Sequence, residues 1–458
     1  MSSLEAGALA KGKERAKGVH MGTMRTRLQL WVLTLAIATC SVASEKNDKI
    51  DPVTAQQYFA ETKAQCERDG SRLWGISLCV PTAFIQPTTR EVVTNMPDSV
   101  GLLKREGNVY VGTWPKELPI ANSSRKWSGT TWTTIMWPLP EDSTARLSLL
   151  MHESFHNIQD QIGFPSQGAS NPHMDSRDGR LWVQLEWRAL KEALLATDKE
   201  RQTAIADALT FRAYRRSLFP GSAQTERQME MHEGLAEYTG TKLCGLPAKS
   251  IPAHFVQGPY KQHIRVASLV NNFAYVSGAL YGLLLDELGV AWRVGLTPQN
   301  DFGELLLKAA NGQLPGNLES SARKRMIAYD GKALETQEIE REKAHARVVA
   351  EYRARLVDGP LLVLSFVKMN IQYDPRGIVA LDSLGTVYPT IRVSDVWGIL
   401  TVTKGALLAA NWARIQVPAP TDIAARPLTG DGWTLELNEG WSIVKAERAG
   451  DFTLQPSK

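Results

Sequence analysis

The sequence predicts an α+β fold in which a mainly helical region follows a small β-sheet and precedes a separate β domain. Three observations predict it. Apolar residues recur at helical spacing over 144–161, 181–195, 203–218, 225–242 and 266–288. Residues 72–137 are rich in Val, Thr, Trp and Tyr between turn residues, as short strands are. From Leu361 the pattern changes to short apolar or alternating runs. With 458 residues, 43% of them hydrophobic, the chain is long enough for a large core and two or more domains.

In chain order, residues 1–44 read as an upstream leader and an export signal. Met24-Arg-Thr-Arg27 is a short basic start, and Leu28 to Ala38 is an apolar run of signal-peptide length, too short to span a bilayer. Ser41-Val42-Ala43 offers a small-x-small cleavage site. An uncleaved anchor is one alternative, and a lipoprotein acylated at Cys40 is another, although Thr39 is larger than the small residue expected before such a cysteine. The expectation is an exported chain, periplasmic or extracellular, with no membrane span in its mature form. Cys66 and Cys79 flank the Asp69-Gly70 turn, so in an oxidising compartment they close a short disulfide loop; the alternative is two reduced buried thiols. Cys244 is left as a buried free thiol.

Residues 45–330 form one domain on this reading. A helix covers 51–68, and the clearest strands are Val109–Gly112 and Thr130–Trp137. Pro138 and Pro140 end the second strand, Glu141-Asp142-Ser143 supplies N-cap chemistry for helix 144–161, and Gly163-Phe164-Pro165 stops it. A loop with His173 and Asp175 leads into a helical insertion over 176–222, broken by Pro220-Gly221. Helix 225–242 stops before Gly245 and Pro247. Helix 266–288 carries Gly278 and Gly282 one turn apart, a face on which a neighbour can pack closely. Asn271, Asn272 and Ser277 interrupt its apolar run, so it reads as a core helix rather than a membrane span. A strongly charged helix over 333–357 occupies a linker, 331–358. The C-terminal β domain, 359–458, has runs at Val363–Val367, Ile378–Leu381, Val387–Val393, Ile399–Val402, Trp433–Leu437 and Trp441–Val444. A net charge of +4 argues neither for nor against a specific partner, and no basic stripe interleaved with aromatics suggests nucleic acid, so none is expected.

The chemistry sits in Met151-His152-Glu153-Ser154-Phe155-His156. Four helical residues turn through about 400°, so His152 and His156 lie about 40° apart, one turn from each other on one face. Two imidazoles so placed can bind one Zn2+ ion, and Glu153, beside the first, can reach an attacking water as general base. Leu147, Leu149, Leu150 and Phe155 bury the other sides of the helix.

A second helical segment reads Glu230-Met231-His232-Glu233-Gly234-Leu235-Ala236-Glu237-Tyr238. The Glu-Gly-Leu-Ala-Glu-Tyr run after a His-Glu-x-x-His helix resembles the gluzincin metallopeptidases of the thermolysin and aminopeptidase N type. The resemblance covers about residues 128–290 and implies a zincin-like catalytic domain. It makes Glu233 the third metal ligand, with Glu237 orienting the first histidine. Glu237 lies one turn from Glu233, as a hydrogen bond to an imidazole N–H requires. The stretch between His156 and Glu233 is far longer than in those relatives. Its extra helices either cover the cleft or leave Glu233 in doubt against Glu186, Glu226 and Glu230, and the stripe Glu226, Glu230, Glu233, Glu237 also reads as a solvated face. Tyr275, in Ala274-Tyr275-Val276-Ser277-Gly278-Ala279, resembles the aminopeptidase tyrosine that donates to the oxyanion; Tyr238 and Tyr281 are weaker candidates, and a core tyrosine is the plain alternative. His173 is a further candidate, as an oxyanion donor or a ligand of a second metal, or else a surface residue. In those families an edge strand near 132–137 pairs with extended peptide.

The expected function is therefore an exported zinc metallopeptidase acting on a peptide or protein substrate. A catalytically inactive zincin-fold binding module and a zinc hydrolase of a non-peptide bond are the competing expectations.

Overall fold

The computed structural model describes residues 49–165, 168–373 and 377–457. The signal segment expected over 1–44, with Cys40, lies outside the described residues. Helix α1 (Pro52–Asp69) starts where the Asp51 carboxylate accepts the N–H groups of Val53 and Thr54, and it ends at Gly70 in the left-handed conformation. A Cys66–Cys79 disulfide ties its last turn to the segment leading into the sheet, with the two Cα atoms 5.3 Å apart. Cys244 is a buried free thiol.

Six short strands come next: β1 (Thr82–Ile85), β2 (Glu91–Thr94), β3 (Lys104–Glu106), β4 (Val109–Thr113), β5 (Ser123–Trp127) and β6 (Thr130–Met136). They form one sheet in the order β3-β4-β2-β1-β6-β5, with β6 parallel to β1 and the other pairs antiparallel. Alternation assigns the two faces. Phe84, Val93 and Ile135 pack with Phe59 of α1 and with Leu150. Ala83, Ile85, Val92 and Trp132 pack on the other side with Leu103 and Trp114. The strand expected to be the edge, 130–137, is flanked on both sides; the edge is β5, whose Ser-Ser-Arg-Lys sequence lacks an apolar stripe.

The helices are α2 (Ser143–Ile158), α3 (Arg177–Leu195), α4 (Asp198–Leu218), α5 (Ser222–Met229), α6 (Leu235–Lys242), α7 (Ile251–Gln257), α8 (Pro259–His263) and α9 (Phe273–Glu287). Asp142 caps α2 by accepting the Ala145 N–H. Helix α9 begins later than its apolar run suggests, because Asp175 takes the Leu269 N–H and Asn272 bonds the Ser268 carbonyl in a preceding turn. The single helix expected over 225–242 is broken by a π turn, Glu230–Gly234, between α5 and α6.

Three glycines set how closely the helices approach. A Cβ at Gly240 of α6 would collide with the Ser148 carbonyl of α2, and one at Gly278 of α9 with the backbone of Gly234. Gly282 likewise meets the Tyr238 ring. Helices α2, α6 and α9 therefore pack backbone to backbone around one point.

Beyond them, α10 (Phe302–Ala309) and α11 (Leu318–Arg325) precede the charged helix α12 (Gly331–Arg353). One face of α12 is not solvated: Glu338 is buried and accepts from Arg180 and Gln184 of α3 and from Arg341. The strands between Leu361 and Pro456 form a seven-stranded and a five-stranded sheet around Leu362, Leu364, Val393, Trp397, Leu400 and Leu435. The expected run Val387–Val393 splits at Pro389 into strands Gly385–Tyr388 and Ile391–Asp395, which join different sheets. Among the described residues no helix is long and apolar enough to cross a membrane.

Candidate metal centre

Helix α2 presents His152, Glu153 and His156 toward α6 and α9. His152 Nδ1 lies 3.0 Å from Glu237 Oε2, and His156 Nδ1 lies 2.8 Å from Gln159 Oε1. The carboxylate and the amide oxygen can only accept, so in the neutral rings each Nδ1 carries the proton and each Nε2 keeps a bare lone pair. The two Nε2 atoms are 3.3 Å apart, and Glu233 Oε2 is 3.5 Å and 3.4 Å from them. Glu233 Oε2 is buried with no hydrogen-bond donor. The ligand atoms of His152, His156 and Glu233 thus gather within 4.8 Å of one another.

Three acceptors facing one another without a donor form a site for a cation. Ligand atoms held about 2.0–2.2 Å from a tetrahedral centre stand roughly 3.3–3.5 Å apart. That matches the observed spacing, so the residues present fit a metal ion.

The electrostatics show how strongly this group attracts positive charge. Burial opposes charge on His152, yet Glu233 and Glu237 outweigh it and raise its pKa to about 10, so a proton on Nε2 competes with a metal for the same place. Burial opposes ionisation of Glu233 too, but the neighbouring His152, His156 and His232 hold it well below the usual carboxylate range. For Glu237, burial is outweighed by His152 and His263, which bring its pKa down to about 2.

The π turn explains how the acidic stripe divides. An i→i+5 turn adds in effect one residue, rotating the downstream helix by about 100° relative to a continuous one. Glu226 and Glu230, expected on a solvated face, are completely buried against the inserted helix α4. Arg212 donates to Glu186 at 3.1 Å, to Glu230 at 2.8 Å and to Asp301 at 3.0 Å. Arg215 donates to Glu226 at 2.9 Å and also to Glu186. The carboxylates that competed with Glu233 on sequence grounds are thus consumed by arginines. Through these arginines the insertion packs against the segment that leads into Glu233, and α3 and α4 contribute nothing to the cleft lining.

The other candidates separate cleanly. Glu153 is buried beside the histidines, its Oε2 has no hydrogen-bond partner, and burial pushes its pKa up. The Tyr275 ring stacks on His152 with centroids 5.5 Å apart and planes 8° from parallel, and its phenol, kept protonated by burial, bonds Glu233. His173 is not brought to this group: its Nε2 is 2.9 Å from Glu226 Oε1, so it serves the arginine cluster. Tyr238 donates to Asp286 and Tyr281 to Glu186, leaving Tyr275 as the candidate tyrosine that faces the cleft.

Sequence reasoning missed three residues. Gln159 orients His156 from one turn on, a spacing that could have been read. His232 Nδ1 lies 3.0 Å from Glu233 Oε1, adjacent in sequence to its partner. His263 Nε2 lies 3.4 Å from Glu237 Oε1, and its ring packs on Tyr275. It comes from the separate helix α8, so no local pattern announces it.

A cleft of about 730 Å³ opens over this group, between the β5 edge and α2, lined by Ser124, Arg125, Lys126, Glu153, His156 and Tyr275 among others. No protein-family model matches the chain, and neither a curated protein nor a solved structure matches it.

Proposed function

We propose that the protein is a zinc-dependent metallopeptidase of the gluzincin type that works outside the cytoplasm. The observation that carries the reading is the pairing of two unlike features in one cleft. Three acceptors with no donor between them make a cation site, and the buried Glu153 Oε2 beside them has no partner of its own. A purely structural metal site has no use for that second carboxylate, and it is more often closed by four protein ligands.

His152, His156 and Glu233 are the zinc ligands on this reading, within a zincin-like domain over 45–330. Bound zinc supplies Lewis acidity and lowers the pKa of a water. Glu153 takes the proton of the attacking water and passes it to the leaving nitrogen. Tyr275 donates its phenol O–H to the oxyanion that develops on the substrate carbonyl. Glu237 and Gln159 hold the two imidazoles in the tautomer that leaves Nε2 free. The outer edge of β5, without a ladder partner among the described residues, suits an extended peptide beside the cleft, and the Cys66–Cys79 bond suits an oxidising compartment.

Elemental analysis of the purified protein, combined with a peptide digest by wild type and by Glu153→Gln, tests the proposal. One zinc per chain is expected in both proteins, with hydrolysis lower in the variant by about 10²–10⁴-fold. Unchanged cleavage by the variant rules out this base. Stoichiometric zinc with no cleavage by the wild type favours a binding module instead.

A further inference from the structure

Resting on that peptidase reading, we infer that the substrate is cut at internal bonds of a polypeptide that carries adjacent acidic residues where it lies along β5.

The first observation is the strand itself. β5 pairs with β6 on one side and has no ladder partner on the other among the described residues. An added peptide strand would satisfy those backbone groups and run across the mouth of the metal group. The second is what β5 carries. Arg125 and Lys126 are exposed, line the cleft, and have no carboxylate partner among the described residues. Arg125 Nε reaches only the Ser123 hydroxyl, at 3.1 Å. Other exposed cations, Lys104 and Lys116 among them, also have no acid partner among the described residues; what sets Arg125 and Lys126 apart is that they lie on the strand bordering the cleft.

The opposite wall does not cancel them. Its carboxylates are Glu153 and Glu233, already assigned to the metal group, and Asp160 just beyond α2. Register then gives the spacing. Lys126 stands opposite Thr131, whose carbonyl accepts from Asn157 of α2 at 3.1 Å, whereas Arg125 stands opposite Trp132. Successive strand residues point to opposite faces, so two consecutive acidic residues of a paired peptide meet Lys126 and Arg125 in turn.

The cleft does not end at the metal group. Past Glu233 and Tyr275 it continues into a second lobe of about 460 Å³, lined by Ser170, Met229, Asn271 and Asn272. Apart from His232 and Glu233 that lobe has no charged lining among the described residues. The chain has room on both sides of the scissile bond, and the demand for acid falls on one side only.

The test uses internally quenched peptides of equal length with Glu-Glu, Gln-Gln or Lys-Lys on one side or the other of a single scissile bond. The wild type is expected to prefer Glu-Glu over Gln-Gln in kcat/KM by about three- to ten-fold at low salt, on one side of the bond only, with the preference shrinking in 1 M salt. The double variant Arg125→Glu, Lys126→Glu is expected to prefer Lys-Lys with its zinc content unchanged. Equal cleavage of all three sequences, or a preference that survives the charge reversal, overturns the inference and leaves the peptidase reading standing. Cleavage of none of the peptides overturns both.

Discussion

Four glutamates on one stretch of chain meet opposite fates across a single π turn. Glu226 and Glu230 are met by Arg215, Arg216 and Arg212, with Glu186 and Asp301 completing a cluster in which every carboxylate has a cation. Glu233 and Glu237 are met by histidines instead, and the neighbourhood keeps unpartnered buried oxygens on Glu233 and Glu153. Both regions bury charge. The first neutralises it internally and fixes helix against helix; the second leaves a deficit that only a cation from outside can fill. A buried carboxylate oxygen without a donor costs free energy, and here two of them lie beside the two imidazoles.

That contrast can be broken at three points, taken from the largest effect down. Arg212→Met leaves Glu230 buried without its cation and takes one of two arginines from Asp301, which keeps Arg216, and denaturant unfolding is expected to show a loss of about 3–5 kcal/mol. Zinc content per folded molecule should not change, because the arginine touches none of the ligands. A loss below 1 kcal/mol, or a loss of zinc from the folded protein, would mean the two clusters are not separable. Glu237→Ala removes the acceptor that sets the His152 tautomer. Chelator competition is expected to show metal affinity weakened by about 10–100-fold with the fold retained; unaltered affinity would show that Glu237 orients nothing. Gly278→Ala pushes α9 away from Gly234, for an expected cost of about 1–2 kcal/mol in thermal or denaturant unfolding. An unaffected variant would show that the glycine contact does not hold these helices together.

The same contrast explains what could be read from the sequence. The convergence of His152 and His156 was legible because helical spacing is local. Gly278 was legible as a close-packing face for the same reason, although its partner Gly234 was not. The α+β class came from the change of period near Leu361. The burial of Glu226 and Glu230 was not legible, because their arginines lie on α4 and a stripe of glutamates has the same sequence whether water or guanidinium faces it. Nor was the π turn, which no residue at 230–234 announces. His173 misled because a histidine in a loop carries no mark of its partner, here Glu226. The β5 strand was missed because polar edge strands lack apolar alternation, and that omission hid Arg125 and Lys126. His263 reaches Glu237 only through tertiary packing.

The central claim is that His152, His156 and Glu233 hold one zinc ion. Anomalous diffraction recorded on either side of the zinc absorption edge, from crystals of the protein as purified, tests it most directly. The expected result is a single peak about 2.0–2.2 Å from His152 Nε2, His156 Nε2 and Glu233 Oε2. No peak among these three atoms, or a peak with the Glu233 carboxylate turned away and no other acid in its place, would contradict it.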